Sequence, residues 1–321
     1  MEKLRYLFEN FNLAEMLVKN WAYDEESVKL FRNFRISSNA IYPFEIGGKQ
    51  HFLRLSPAAT KDVGFIQDEI AFAKHLRNHS YDAVNFIESK NGKLVESCET
   101  PWGIYHASVM EGVLGEELEK LEMDASKAFE FGSALGGLHK ISCACDVEFS
   151  NRMDYLDALM WCRAYLYDFS EHSVIIDAVD HLIPILEKLP KDKMQYGMIH
   201  YDFDLDNVFW NQESGRMSVI DFDDCMKSWY AMDVVLSLDK LGDGYQDSFI
   251  EGYKTHFQMS SDYERIAPAL RQFTRIYSYT RIARSIEENW NNEPTWLTNL
   301  RLKLEHYLMK TKAEIRENLV K

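Results

Sequence analysis

From His200 to Asn207 the chain reads His-Tyr-Asp-Phe-Asp-Leu-Asp-Asn, and Asp221, Phe222, Asp223 and Asp224 follow directly behind the apolar run Ser218, Val219, Ile220. Carboxylates gathered at strand ends hold cations, and every candidate ligand here is oxygen, which favours magnesium over softer metals. Phosphoryl transfer needs three groups: a carboxylate to take a hydroxyl proton, a nearby oxygen ligand for magnesium, and a second carboxylate that bridges metal to phosphates. Asp202, Asn207 and Asp221 fit those roles in sequence order, and Asp223 is a further candidate ligand. The five-residue step from Asp202 to Asn207 is short enough to aim both side chains at one point. His200 precedes the base and reads as a hydrogen-bonded anchor of the loop, not as a proton carrier.

One rival uses the same residues. Asp202, Asp204, Asp206 and Glu213 match positions 1, 3, 5 and 12 of an EF-hand calcium loop, with Asn207 where that loop takes Gly. An EF-hand needs a helix on each side, whereas 218–220 is strand-like and 211–216 reads as a hairpin turn, so the flanks decide against it. Neither Gly-x-x-x-x-Gly-Lys-Ser/Thr nor Gly-x-Gly-x-x-Gly occurs.

The elements around these loops change period along the chain. Residues 1–30 carry helix-like spacing (Leu13, Met16, Leu17, Trp21). From Ala40 to Leu55 the side chains alternate about Gly47 and Gly48, which predicts two antiparallel strands joined by a primed turn. Ile66, Ile70, Ala73 and Leu76 recur at three and four, predicting a helix over 65–77. Strands are expected at 84–89, 93–97 and 102–110, the first two joined at Asn91-Gly92 as a hairpin. Beyond Val113 the pattern is helical at 126–141, 153–167 and 174–189, is interrupted by β signals at 198–200, 208–210 and 217–222, and is helical again at 262–289 and 296–319. Pro268 predicts that the first of these last helices begins near Ala267 or kinks there. The expected class is α+β: a five-stranded antiparallel sheet with one helix, then a mainly helical part.

The two acidic loops resemble those of the aminoglycoside phosphotransferase and choline kinase-like family, small-molecule relatives of the protein kinases. That family's loop runs His-Gly-Asp, four variable residues, Asn, and its metal loop begins Asp-Phe. The chain keeps His200, Asp202, Asn207, Asp221 and Phe222 at that spacing and departs at Tyr201, where the family usually has Gly. The resemblance spans roughly residues 30–290. It implies a protein-kinase-like two-lobed fold, with an N-terminal lobe over 1–112 and a C-terminal lobe over 113–321. It implies further that Arg54 presents a cation to the nonreacting phosphates, where protein kinases place Lys, and that Glu69 orients it. Met110, Glu111, Gly112 and Val113 would form the hinge that meets adenine, and 37–39 (Ser37, Ser38, Asn39) would cover the phosphates. Asp233 would brace the catalytic loop from a helix, and 132–139 would be a packing helix ending Leu138-His139. The cofactors implied are ATP or GTP with Mg2+.

Composition narrows the partners. The 321 residues carry 36 Lys plus Arg against 51 Asp plus Glu, a net charge of −15, which argues against nucleic acid as a main partner. Apolar residues make up 46% and aromatic residues 13%, which excludes intrinsic disorder. No apolar run reaches membrane-spanning length and the N-terminus lacks a signal-peptide stretch, so a soluble, cytoplasmic protein without a membrane partner is expected. Five scattered cysteines read as reduced thiols, and neither Cys143 with Cys145 nor His75 with His79 has enough companions for a zinc site. The expected activity is transfer of a γ-phosphoryl group to a hydroxyl of a small molecule. The acceptor wall is expected from Tyr277, Tyr279, Arg281, Arg284, Trp290 and Trp296. Asp204, Asp206 and Asp224 near the mouth suit a cationic alcohol, with antibiotic, sugar, amino alcohol and homoserine-like acceptors all open. Two further readings remain at this point, a nucleotide-binding regulator without turnover and a kinase acting on protein Ser or Thr. The complete acidic set opposes the first, and the nine residues from Asp224 to Asp233 leave little room for the second's peptide-docking loop.

Overall fold

A computed structural model describes residues 3, 10–36, 39–259, 262–288 and 294–320. Helix α1 (Phe11–Val18) starts where Asn10 accepts the amide of Leu13, and a 3-10 segment (Glu25–Asn33) follows. Strands β1 (Arg35–Ile36), β2 (Ala40–Ile46) and β3 (Lys49–Pro57) come next. Gly47 and Gly48 both take positive φ, +58° and +72°, as the primed turn requires. Asp24 accepts both of their amides and so ties the 3-10 segment to the hairpin.

Helix α2 (Val63–Asn78) is capped by Asp62, and β4 (Phe86–Ile87), β5 (Glu96–Thr100) and β6 (Gly103–Glu111) complete an antiparallel sheet ordered β1-β2-β3-β6-β4 with β5 also on β6. The sheet therefore has six strands, not the five expected, because Arg35 and Ile36 fold back on β2. The Asn91-Gly92 hairpin fails as a ladder. Its turn forms, with Ser89 bonded to Lys93 and its hydroxyl to Glu96, but β4 and β5 then lie end to end along one edge of β6. A long central strand offered more backbone partners than the short pair could offer each other.

In the larger part, β7 (Glu116–Glu117), α3 (Ala125–Cys143), α4 (Tyr155–Leu166) and α5 (Ser173–Glu187) precede β8 (Tyr196–Ile199), β9 (Val208–Asn211), β10 (Arg216–Val219) and β11 (Met226–Trp229). Helices α6 (Tyr230–Leu241), α7 (Gln246–Lys254), α8 (Tyr263–Ile286) and α9 (Thr295–Val320) close the chain. β7 pairs with β9 and β11 with β8, short strands in stretches where the sequence showed no alternation. Helix α8 begins at Tyr263, one residue from the start of the expected 262–289 and ahead of the alternative start near Ala267, and carries Pro268 inside it. Its buried face (Ile266, Leu270, Phe273, Ile276) outweighs the one backbone bond that proline removes.

Two cores result. The smaller joins α1 and the 3-10 segment to one face of the sheet through Leu17, Trp21, Phe31, Tyr42, Leu53 and Leu55. The larger runs through the helices and includes Phe72, Ala73 and Leu76 of α2, so that this helix packs on the larger part. Period two in β3 sends Leu53 and Leu55 into the small core and leaves Arg54 on the opposite face.

Candidate active site

Arg54 meets Glu69 of α2 as a fork: Nη1 to Oε1 at 2.7 Å and Nη2 to Oε2 at 2.9 Å, with both side chains almost fully buried. The paired carboxylate more than offsets burial and holds the guanidinium above its usual range. A second arginine, Arg152, lies 3.8 Å from Glu69, stacks its guanidinium 3.8 Å from the ring centre of Phe65, and donates to the Asp223 carbonyl at 2.7 Å. Helix α2 is thus tied to the loop behind β10. Sequence spacing gave no sign of Arg152, which stands in an irregular segment between α3 and α4.

The loop 200–207 is braced from behind. Asp233 in the first turn of α6 accepts the amides of His200 and Tyr201, each at 2.8 Å, and His139 of α3 at 3.2 Å. His139, expected only to pack, also meets the Tyr253 hydroxyl at 2.9 Å. His200 anchors the loop as expected, donating from Nε2 to the Ile220 carbonyl at 2.9 Å. Tyr201 has φ +68°, the left-handed region that favours glycine, which explains the family's usual residue there. Its ring packs on Phe273 and Tyr277, a side-chain anchor that glycine cannot supply.

Asn207 donates from Nδ2 to the Asp202 carbonyl at 3.0 Å and to its carboxylate at 3.1 Å. Asp221 approaches from the end of β10 with φ +59°, and the Ile220 amide bonds to the Asn207 carbonyl at 3.0 Å, locking the two loops together. Burial, aided by Asp224, pushes Asp202 up to about 6. Burial and then Asp223 push Asp221 up to about 7. Among the described residues nothing hydrogen-bonds or pairs with the Asp221 carboxylate. A half-buried acid without a hydrogen-bond or ion-pair partner, beside an amide whose nitrogen is spent and whose oxygen is not, is a donor set suited to a divalent cation.

Asp223 stands apart. Expected with Asn207 and Asp221, its carboxylate is instead held by Lys61, at 2.6 and 2.7 Å, and by Asn39 at 3.2 Å. Lys61, with Arg54 and Arg152 nearby, holds it well below the usual carboxylate range despite burial. Lys61 carried no sequence signal, since it sits in the turn after β3. Asp204 pairs with Lys240 at 2.5 Å and Asp224 with Arg281 at 2.6 Å, so two of the three acids expected free at the mouth are neutralised. Strands β8 and β9 flank the loop, which removes the EF-hand reading.

Asp221 lines one cavity, and Asp223 and Asp224 line another. The first, about 430 Å³, lies between the sheet and the larger part and is lined by Ile41, Phe52 and Arg54 of the sheet and by Val84, Phe209, Ile220 and Asp221 on the side of the larger part. Met110 and Val113 line it, but Gly112 faces a neighbouring cavity and spends its amide on the Gln50 carbonyl at 2.9 Å. Asn39 is at hand, whereas Ser37 and Ser38 lie outside the described residues. The other cavity, about 330 Å³, is lined by Lys61, Phe65, Trp161, Tyr277, Arg281 and Arg284, with Asp223 and Asp224 at its floor. Of the expected acceptor wall, Tyr279 instead bonds to His172 at 2.7 Å, Trp296 is exposed, and Trp290 lies outside the described residues. Phe65 and Trp161 were missed, being read as ordinary helix positions.

A model of the phosphotransferase enzyme family matches residues 34–269. Amicoumacin kinase of Bacillus subtilis (strain 168) is 20% identical over 264 residues, which cover 79% of this chain and 76% of that protein. Among solved structures, an amicoumacin kinase in complex with AMP-PNP, Ca2+ and Ami superposes with TM-score 0.78 at 16% identity, covering 97% of this chain and 94% of that one. A microcompartment-associated aminopropanol kinase gives 0.73 at 20% identity, covering 97% and 98%.

Proposed function

The chain belongs to the phosphotransferase enzyme family, and from that premise we propose that it moves the γ-phosphoryl group of ATP to a hydroxyl of a small molecule, with Mg2+ as the metal. What supports this reading is the convergence of the two acidic loops: Asn207 bonds to the Asp202 carboxylate at 3.1 Å, the Ile220 amide bonds to the Asn207 carbonyl at 3.0 Å, and Asp221, the next residue, lines the cavity that Arg54 also lines. The larger cavity suits a purine between apolar walls, with Arg54 on the nonreacting phosphates and Met110 and Val113 at the base. Glu69 and Arg152 position Arg54, and Gly112 serves the hinge by its bond to Gln50.

In this reading Asp202 accepts the hydroxyl proton as the acceptor oxygen bonds to phosphorus, and the bridging oxygen leaves with the nucleoside diphosphate. Asn207 and Asp221 would hold the metal, which supplies charge neutralisation on the phosphates when bound. Asp202, raised by burial, is a stronger base than a solvated carboxylate and is held toward the acceptor by Asn207. His200 and Asp233 fix the loop and touch no reacting atom. The same reading assigns 1–112 to the nucleotide-side lobe and 113–321 to the acceptor-side lobe, and places the enzyme in the cytoplasm with its nucleotide.

A protein acceptor is disfavoured because β11 and the start of α6 fill the residues between Asp224 and Asp233. The second cavity, walled by Phe65, Trp161 and Tyr277, suits a small acceptor with an apolar face. Incubation with Mg2+, ATP or GTP, and a panel of amino alcohols, sugars and hydroxylated antibiotics, read by mass spectrometry, tests this. A small product heavier by one phosphoryl group is expected, formed faster with ATP. Phosphorylation confined to protein, or hydrolysis alone across the panel, would overturn it.

A further inference from the structure

Asp221 and Asp223 are two residues apart, yet their carboxylates are satisfied in opposite ways. That of Asp221 has no partner among the described residues. Asp223 receives the Lys61 ammonium on both oxygens, at 2.6 and 2.7 Å, and Asn39 at 3.2 Å. The arrangement is built. Lys61 Nζ also meets Asn39 Oδ1 at 2.9 Å, Ser56 bonds to that same oxygen at 2.8 Å, and Arg152 pins the Asp223 backbone at 2.7 Å. The side chains of Lys61 and Asp223 are 13% and 7% exposed, so the pair is shielded from solvent screening.

The chemistry has a matching gap. Transfer of a phosphoryl group concentrates negative charge between donor and acceptor. The segment 200–208 contributes three aspartates and no lysine or arginine, and Arg54 lines the nucleotide-side cavity and not the acceptor-side one. Lys61 lines the acceptor cavity beside Asp223, on the side to which the phosphoryl group must travel.

We propose that Lys61 is a built-in second cation: it holds Asp223 against a second divalent ion, so that the nucleotide complex carries one divalent ion, on Asn207 and Asp221, with the ammonium supplying positive charge at the acceptor side. This rests on the phosphotransferase reading above. Displacing a buried ammonium from a carboxylate and an amide oxygen would strand its charge, which opposes a second ion at Asp223.

The test is to count Mn2+ bound per AMP-PNP by electron paramagnetic resonance, in the full chain and in Lys61→Met and Lys61→Gln, after cooperative melting shows that each variant is folded. One equivalent in the wild type and two in either variant is the expected result. Two equivalents in the wild type, or one in both variants, overturns the proposal and leaves the phosphotransferase reading standing. No nucleotide-dependent Mn2+ in any protein would overturn both.

Discussion

At the scale of single residues most charges of the site are disposed by a named neighbour, Asp221 being the exception. Asp233 shows how much one of them carries. Its two oxygens hold the amides of His200 and Tyr201 and the ring of His139, so Asp233→Ala would leave three buried donors facing nothing. A loss of about 3–5 kcal/mol is expected in urea unfolding, and a loss under about 1 kcal/mol would show that the brace is unimportant. Tyr201 sets two effects against each other. Its left-handed backbone costs about 1–2 kcal/mol relative to glycine, while removing a buried aromatic ring costs about 3–5 kcal/mol. Tyr201→Gly is therefore expected to lower stability by about 2 kcal/mol, and a stabilised variant would refute the packing argument. The mutual placement of His200, Asp202, Asn207 and Asp221 was legible because short-range spacing fixes it, whereas Asp233, 33 residues from His200, was expected only through the family resemblance. Lys61 and Arg152 were not, since their meaning depends on partners more than 70 residues away, as their bonds to Asp223 show.

At the scale of elements the closest packing is between α3 and α7. A Cβ on Gly132 would come 1.9 Å from the Phe249 carbonyl oxygen, and one on Gly136 would come 2.4 Å from that of Tyr253. These contacts hold His139 and Tyr253 at the distance that braces Asp233. Gly132→Ala gains about 1 kcal/mol of helix propensity but must push two backbones apart. A net loss of about 2 kcal/mol is expected in thermal or urea unfolding, with a neutral result contradicting the close approach. Helices with clear stripes (α2, α3, α5) and the Gly47-Gly48 hairpin were legible in sequence, as local pattern and tertiary demand agree there. Strands β7 and β11 have two and four residues, too short to show a period, and exist because β9 and β8 offer partners. The Asn91-Gly92 turn formed while its hairpin did not, since β6 was the better partner for both flanking segments. Local chemistry sets turns, and competition across the sheet sets pairing.

At the scale of the whole molecule, two hydrophobic cores frame a cleft in which acidic groups are paired off by Lys61, Arg54, Arg281 and Lys240, leaving Asp202, Asp206 and Asp221 without an ion pair among the described residues. The −15 net charge of the chain is thus no guide to the acceptor, since the acids nearest the mouth are largely spent. No helix among the described residues is long and apolar enough to cross a membrane. The proposed transfer rests on Asp202 serving as the base. The most direct measurement is transfer of the γ-label from ATP to the acceptor found in the panel, in wild type and Asp202→Asn, with AMP-PNP affinity measured on the same samples. The account predicts that transfer falls by about 10²–10⁴-fold while nucleotide affinity changes little. Transfer undiminished in Asp202→Asn, with the nucleotide still bound, would contradict it.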